Sequence, residues 1–408
     1  MGYDSDVPTV SADHVVAARR VQAGVVITTP VEESRWLSQH VGAPVHLKCE
    51  NLQRTGSFKI RGAIVRMSRL SAEERARGVV AASAGNHAQG VALAAQQLGI
   101  KATVFMPSGA PIPKEKATRG YGAELRFHGN TVDESLSAAK EFAAETGAVL
   151  IHPFDHADIV AGQGTCGLEI LEQCPEVRTV VVPLGGGGLL AGIATVVKSA
   201  RPDVRVVGVQ AERAAAYPGS LAAGVPTPVD AMSTMADGIA VGCPGQVPFA
   251  GIQKFVDEVV TVSEESMSTA LLHLLERAKM VVEPAGAAGV AAVLERPGQL
   301  DGPLVAVLSG GNIDPLLLMR VIRHGMAAAG RYLSFRVRIP DHPGALARLL
   351  AELAGVEANV LDVVHQRTSA QLHLDEVEVA LQVETRGADH RQRVLERLRS
   401  AGYPCEFG

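Results

Sequence analysis

Residues 179–200 read TVVVPLGGGGLLAGIATVVKSA. Val180 to Leu184 are apolar without alternation, the pattern of a strand buried on both faces. Gly185, Gly186, Gly187 and Gly188 then free the backbone, and the Ala- and Leu-rich run from Leu189 predicts a helix. A buried strand, a glycine loop and a helix make one unit of a parallel α/β sheet. Bare backbone N–H groups at the positive end of a helix form an anion site, and the obvious ligand is a phosphate. The Gly-Lys-Ser/Thr of a nucleoside triphosphate loop is absent. Gly186, Gly188 and Ala191 do fit the looser G-x-G-x-x-A dinucleotide pattern, with Glu212 downstream, so a dinucleotide is a second option.

The same alternation extends outward from Gly78 to Gly311. GVVAAS precedes NHAQGVALAAQQLG, ATVFMP precedes KEKATRGYG, and VRVVGVQ and LVAVLSG read as further strands. The expected architecture is α/β and doubly wound, with a smaller subdomain of about residues 55–160 inserted in a larger one. After Arg323 the pattern changes. Leu333, Phe335, Val337 and Ile339 alternate with Ser334, Arg336 and Arg338, so one face of this strand is wet. The helix ALARLLAELAG, strands at ANVLDVVHQ and DEVEVALQV, the helix RQRVLERLRSAG and a last strand at CEF complete a βαββαβ order, a ferredoxin-like α+β domain over 332–408. HGMAAAGR contains the expected linker, residues 326–331, which closes a first domain of 1–325.

The 408 residues suffice for two or three cores, and 47% hydrophobic with 20% charged residues is an ordinary globular balance. A net charge of -5 without a basic stripe argues against nucleic acid. No apolar run reaches membrane length and MGYDSDVPTV is unlike a secretory signal, so a cytoplasmic protein is expected. Cys49, Cys166, Cys174, Cys243 and Cys405 form no CxxC pair and read as reduced packing thiols, with no metal site predicted.

Three loops follow buried strands: SAGNHAQG from Ser83, GGGGL from Gly185 and SGGN from Ser309. In a parallel sheet they face one crevice, where ligands bind. GSFKIRGA, residues 56–63, adds a lysine where a helix begins, with Ser57 as its expected N-cap. The helix dipole disfavours an ammonium there, which marks Lys59 for covalent chemistry. The N–H groups of Ala84 to His87 suit a carboxylate; Asn86 is also a common N-cap residue, and His87 is as readily a packing histidine. Ser309 is by itself a turn residue. Glu283, in VVEPAGAAG, is either a helix N-terminal charge or a buried carboxyl needing a partner.

Jointly these motifs resemble the fold type II pyridoxal phosphate enzymes. ENLQRTGSFKIRGA, SAGNHAQGVA, AGQGTCGLEI and SGGNID are similar to the threonine ammonia-lyase (threonine dehydratase) branch, over about residues 25–325. The tail from Tyr332, with DHPGAL, resembles an ACT domain. The resemblance implies pyridoxal 5'-phosphate bound covalently by Lys59, with Phe58, Gly238 and Glu283 beside its ring. It places Asn86 on the ring hydroxyl, Gly185 to Leu189 on the phosphate and Ser309 on the pyridine nitrogen. Ser83, Ala84, Gly85, Asn86 and His87 would hold the substrate carboxylate. Related serine racemases have a serine where Ala84 stands, so racemisation is expected to be poor; they also bind a divalent metal near the position of Glu212, with a later ligand replaced here in AAAYPGS.

The implied activity is a lyase reaction, L-threonine to 2-oxobutanoate and ammonia. An amino-acid effector such as isoleucine or valine at the ACT domain would give allosteric feedback in branched-chain (isoleucine) biosynthesis, in a homo-oligomer. The alternatives are a broader serine/threonine or 3-hydroxyaspartate dehydratase, a dinucleotide-dependent oxidoreductase, and a non-catalytic amino-acid sensor.

Overall fold

The computed structural model describes residues 8–229, 232–367 and 373–407. It divides into two compact units, Met1–Leu318 and Met319–Gly408.

In the first unit, six strands form a sheet in the order Val31–Glu33, Val45–Lys48, Leu304–Val307, Thr179–Pro183, Arg205–Ala211, Glu258–Val262. The first pair is antiparallel and the rest run parallel. A second, all-parallel sheet has the order Glu124–Phe127, Ala102–Met106, Val79–Ala82, Val149–Leu150. Its strands lie in sequence between Val45–Lys48 and Thr179–Pro183 of the first sheet. Val79–Ala82, Ala102–Met106, Thr179–Pro183 and Leu304–Val307 are buried at every position. Apolar on both faces, they require helices on both sides.

Those helices meet at glycines. A Cβ on Gly162 would stand 2.7 Å from the Gly62 Cα, and one on Gly90 would stand 3.1 Å from the Lys59 carbonyl carbon. The helix Lys59–Ser68 is thereby drawn close to both Ala157–Gln173 and Asn86–Leu98.

In the second unit, the strand Tyr332–Pro340, the helix Ala345–Gly355, the strands Asn359–Gln366 and Glu376–Glu384 and the helix Ala388–Ser400 follow one another. Glu376–Glu384 is the centre of a three-stranded antiparallel sheet. Leu333, Phe335, Val337 and Ile339 all face this unit's own core, as their alternation requires. The last strand expected at CEF is reduced to one bridge, Arg336 with Glu406; Pro404, just before it, has no N–H with which to extend a ladder. The linker expected at 326–331 begins inside the helix Pro315–Ala328, and the division between the units falls within that same helix. Its Met-Ala-Ala-Ala run favours helix over coil.

Candidate active site

Lys59 opens the helix Lys59–Ser68. The turn before it is tied to the loop after Leu304–Val307. The Phe58 N–H donates to the Ser309 carbonyl at 3.2 Å, the Gly311 N–H donates to the Gly56 carbonyl at 2.9 Å, and Ser57 forms a bridge with Gly310. Ser57 does not cap the helix as expected. Its pairing with Gly310 holds it extended at φ -164°, Phe58 occupies the cap position, and the Ser57 Oγ is buried with no partner among the described residues. Lys59 Nζ donates to the Pro153 carbonyl at 3.1 Å and lies 5.1 Å from the centre of the Phe58 ring. Desolvation of the ammonium lowers its pKa to about 8, against the pull of Glu283.

Beside it runs a chain of amides and a carboxyl. Asn312 Nδ2 donates to the Thr55 carbonyl at 2.6 Å and to Asn86 Oδ1 at 2.8 Å, and Asn86 Nδ2 donates to Glu283 Oε1 at 2.6 Å. Both readings of Glu283 meet here: it stands at the N-cap of the helix Pro284–Glu295, and it is 2% exposed. Its Oε2 has no partner among the described residues. Burial pushes its pKa up to about 7, the Asp237 charge adds to this, and Lys114, Asn86 and Lys59 oppose it. Asn86 itself opens the helix Asn86–Leu98, with Gly85 rather than Asn86 at the cap.

The glycine loop is walled so closely that side chains cannot enter. A Cβ on Gly186 would strike the Phe154 ring, one on Gly187 would stand 2.8 Å from Pro248 Cβ, and one on Gly185 would stand 2.9 Å from Ile239 Cα. Gly187 also has φ +96°, a conformation L side chains rarely adopt. The helix Gly188–Ala200 starts at once, with Leu189 in its first turn, so bare N–H groups stand at its positive end.

In the loop from Ser83, Ser83 Oγ accepts from the Gly85 N–H at 3.1 Å. The His87 ring turns to the Ile151 carbonyl, with Nε2 at 2.7 Å. Burial, then the Lys59 charge, lowers its pKa to about 3, so the ring is neutral and its bond to a carbonyl makes Nε2 the donor. His87 therefore packs through its side chain and faces the loop through its backbone.

An amine of lowered basicity, a glycine cradle at a helix start, an amide bonded to a buried carboxyl and a buried hydroxyl at Ser309 fit pyridoxal phosphate. The amine suits its aldehyde, the cradle its phosphate, and the amide and hydroxyl its ring heteroatoms. The sequence pattern described as pyridoxal-phosphate dependent enzyme matches residues 23–310. The chain belongs to that family. An L-threonine ammonia-lyase of Geobacter sulfurreducens is 48% identical over 376 residues, 92% of this chain and 94% of that one. An L-threonine ammonia-lyase of Thermotoga maritima is 46% identical over 394 residues, 97% of this chain and 98% of that one. Among solved structures, the T.th. threonine deaminase matches with a TM-score of 0.71 at 44% identity, covering 74% of this chain and 99% of that one. Maize serine racemase matches with a TM-score of 0.73 at 34% identity, covering 79% and 99%. In a pyridoxal phosphate enzyme the dinucleotide option for the glycine loop falls away.

Sequence reasoning missed three features of this pyridoxal phosphate enzyme. Asn312, quoted only as part of SGGN, links the Thr55 turn to Asn86. Asp237 and Lys114 pair at 2.7 Å. Arg61, two residues after Lys59 in GSFKIRGA, is fully buried and donates to Glu50 from Nε at 2.7 Å and from Nη2 at 2.8 Å, and to Glu169 from Nη1 at 2.7 Å and from Nη2 at 2.9 Å. Lys48 Nζ donates to the same Glu169 at 2.6 Å. Burial opposes ionisation of Glu50, but the Arg61 charge and hydrogen bonds hold its pKa below the ordinary value. Away from the site, His46, Cys174 and Glu176 each bring a ligand atom within 4.8 Å of the others, a proximity that cysteine spacing did not suggest.

Proposed function

We propose that this pyridoxal phosphate enzyme removes water and then ammonia from L-threonine, giving 2-oxobutanoate. The observation that carries the reading is the position of Lys59: an amine with its pKa lowered to about 8, tied by its own turn to the Ser309 loop and set beside the Asn86–Glu283 pair. The near-full-length likeness to two L-threonine ammonia-lyases supports the choice of substrate.

In this reading Lys59 Nζ joins the cofactor, Gly185 to Leu189 hold its phosphate, Asn86 meets the ring hydroxyl and Ser309 Oγ the pyridine nitrogen. Phe58, Gly238 and Glu283 border the ring. The backbone N–H groups of Ser83 to His87 hold the substrate carboxylate. When bound, the cofactor supplies the electron sink that acidifies the substrate Cα–H. Lys59 Nζ, freed by the incoming substrate amine, would take the Cα proton, and the β-hydroxyl would leave as water with a proton supplied by the phosphate that Gly185 to Leu189 would hold. Ser309 is neutral and does not hold the ring nitrogen protonated, which favours elimination over a long-lived carbanion. Ala84 offers no hydroxyl as an acid on the opposite face. The aminobutenoate released then hydrolyses to 2-oxobutanoate and ammonia. Serine is a weaker substrate on this scheme, since one methyl in such a pocket is worth about 1–3 kcal/mol.

Residues 332–408 act as an ACT-like domain of ferredoxin-like order that binds an amino-acid effector, isoleucine or valine, while residues 1–325 carry the chemistry. Feedback in branched-chain synthesis, in a cytoplasmic homo-oligomer, is the setting this implies. The antiparallel sheet with two helices and a separate core supports the domain assignment.

Purified protein with pyridoxal phosphate should show a visible absorbance band that borohydride removes. Lys59→Ala should lack the band and release 2-oxobutanoate ~10²–10⁴-fold more slowly, the range for loss of a positioned proton-transfer group. A colourless wild-type protein, or a variant as active as wild type, would sink the reading.

A further inference from the structure

Lys114 and Asp237 stand at the substrate side of this site, and the roles assigned above leave both unused. Lys114 lies on the helix Ile112–Gly120, is 8% exposed, and donates from Nζ to Asp237 Oδ2 at 2.7 Å. The same Nζ is 3.7 Å from where a Cβ on Gly85 would stand, in the loop that holds the substrate carboxylate on our reading. Asp237 begins the short turn Asp237–Ile239, and its side chain is largely exposed. The next residue, Gly238, is pressed against the wall of the ring site: a Cβ there would stand 2.9 Å from Ala285 Cβ and 3.5 Å from Glu283 Oε1. The charges of Lys114 and Asp237 both act on the Glu283 carboxyl, in opposite senses. The pair therefore borders the same cleft as Lys59 and Glu283.

An unpaired ammonium at this place would draw a second carboxylate into the site. Held against Asp237 it offers little net field, and the Asp237 charge repels an anionic side chain. Threonine and serine carry neutral groups at Cβ, whereas 3-hydroxyaspartate carries a carboxylate. We propose that the Lys114–Asp237 pair is the charge filter of the substrate site: by neutralising Lys114 beside the Gly85 loop, Asp237 restricts turnover to hydroxy amino acids with uncharged side chains. This inference rests on hydroxy-amino-acid deamination at Lys59.

The test uses the holoenzyme as wild type, Asp237→Asn, Lys114→Met and the double variant. kcat/KM is measured for L-threonine and 3-hydroxyaspartate, and calorimetry compares two non-reacting acids, succinate and butyrate. Asp237→Asn should raise the ratio of kcat/KM for 3-hydroxyaspartate to that for threonine roughly tenfold, the scale of one uncancelled and partly screened charge. It should strengthen succinate binding relative to butyrate, an effect that fades with added salt. The double variant should lose both gains. An unchanged ratio with unchanged succinate preference, or gains that survive in the double variant, overturns the filter. Asp237→Ser, which also removes the charge, takes the place of Asp237→Asn if that variant does not fold. If wild type fails to deaminate threonine, the proposed function fails by itself, and the succinate and butyrate comparison still decides whether the pair filters charge.

Discussion

Glu283 meets the protein through one oxygen, and burial raises its pKa to about 7 from an ordinary 4.5. The folded state therefore holds a proton that the unfolded chain has released between pH 4.5 and 7, so stability falls as pH rises through that window. Without cofactor, Glu283→Gln keeps an acceptor for Asn86 and removes the charge. It should match wild type near pH 4.5 and exceed it at pH 8 by about 3 kcal/mol, measured as denaturant midpoints across that range. A variant that loses stability equally at both pH values would contradict this sign. Residues of this kind were half legible. Lys59 stood out because an ammonium is misplaced at a helix start, and Glu283 because it was the acid in an apolar stretch. Ser57 misled because its partner, Gly310, is remote in sequence.

At the scale of elements, the helix Lys59–Ser68 is held by an interior of opposite charges. Arg61 bonds both Glu50 and Glu169, and Lys48 shares Glu169, all of them buried. Such a network adds little over well-packed apolar residues but is costly to break, since a lost partner leaves a charge without compensation. Arg61→Met should cost about 3–5 kcal/mol in chemical denaturation, because Glu169 would keep only Lys48 as its ion-pair partner and Glu50 would keep only the Thr29 hydroxyl as a side-chain partner among the described residues. Loss below about 1 kcal/mol would show the network to be dispensable. No sequence pattern joins residues 48, 50, 61 and 169; Gly62 and Gly162 let the helices of Arg61 and Glu169 approach, and the strand Val45–Lys48 with the turn after it brings Lys48 and Glu50 to them. Strand and helix type, by contrast, were readable for the long periodic runs, though not for the strand expected at CEF or the linker expected at 326–331. Unbroken apolar runs became the parallel strands, and the alternating run at Leu333 became a strand with one wet face.

At the scale of the molecule, two units with separate cores suggest separable roles. A chain ending at residue 325 should retain threonine deamination and lose its response to isoleucine or valine, read as 2-oxobutanoate release with and without each amino acid. Inhibition that persists in the shortened chain would place the effector elsewhere. No described helix is long and apolar enough to cross a membrane.

The order of the elements, the parallel sheets, the three strand-end loops and the oddly placed lysine were set by local rules: hydrophobic period, glycine freedom and helix-terminus electrostatics act over a few residues. Tertiary structure alone decided that Ser57 pairs with Gly310, that Asn86 meets Glu283, that Arg61 is neutralised by distant carboxylates and that Lys114 faces Asp237. Each of these depends on which side chains the packed sheets bring within a hydrogen bond of one another. Desolvation then fixes their charge, and desolvation exists only once the chain has folded around them.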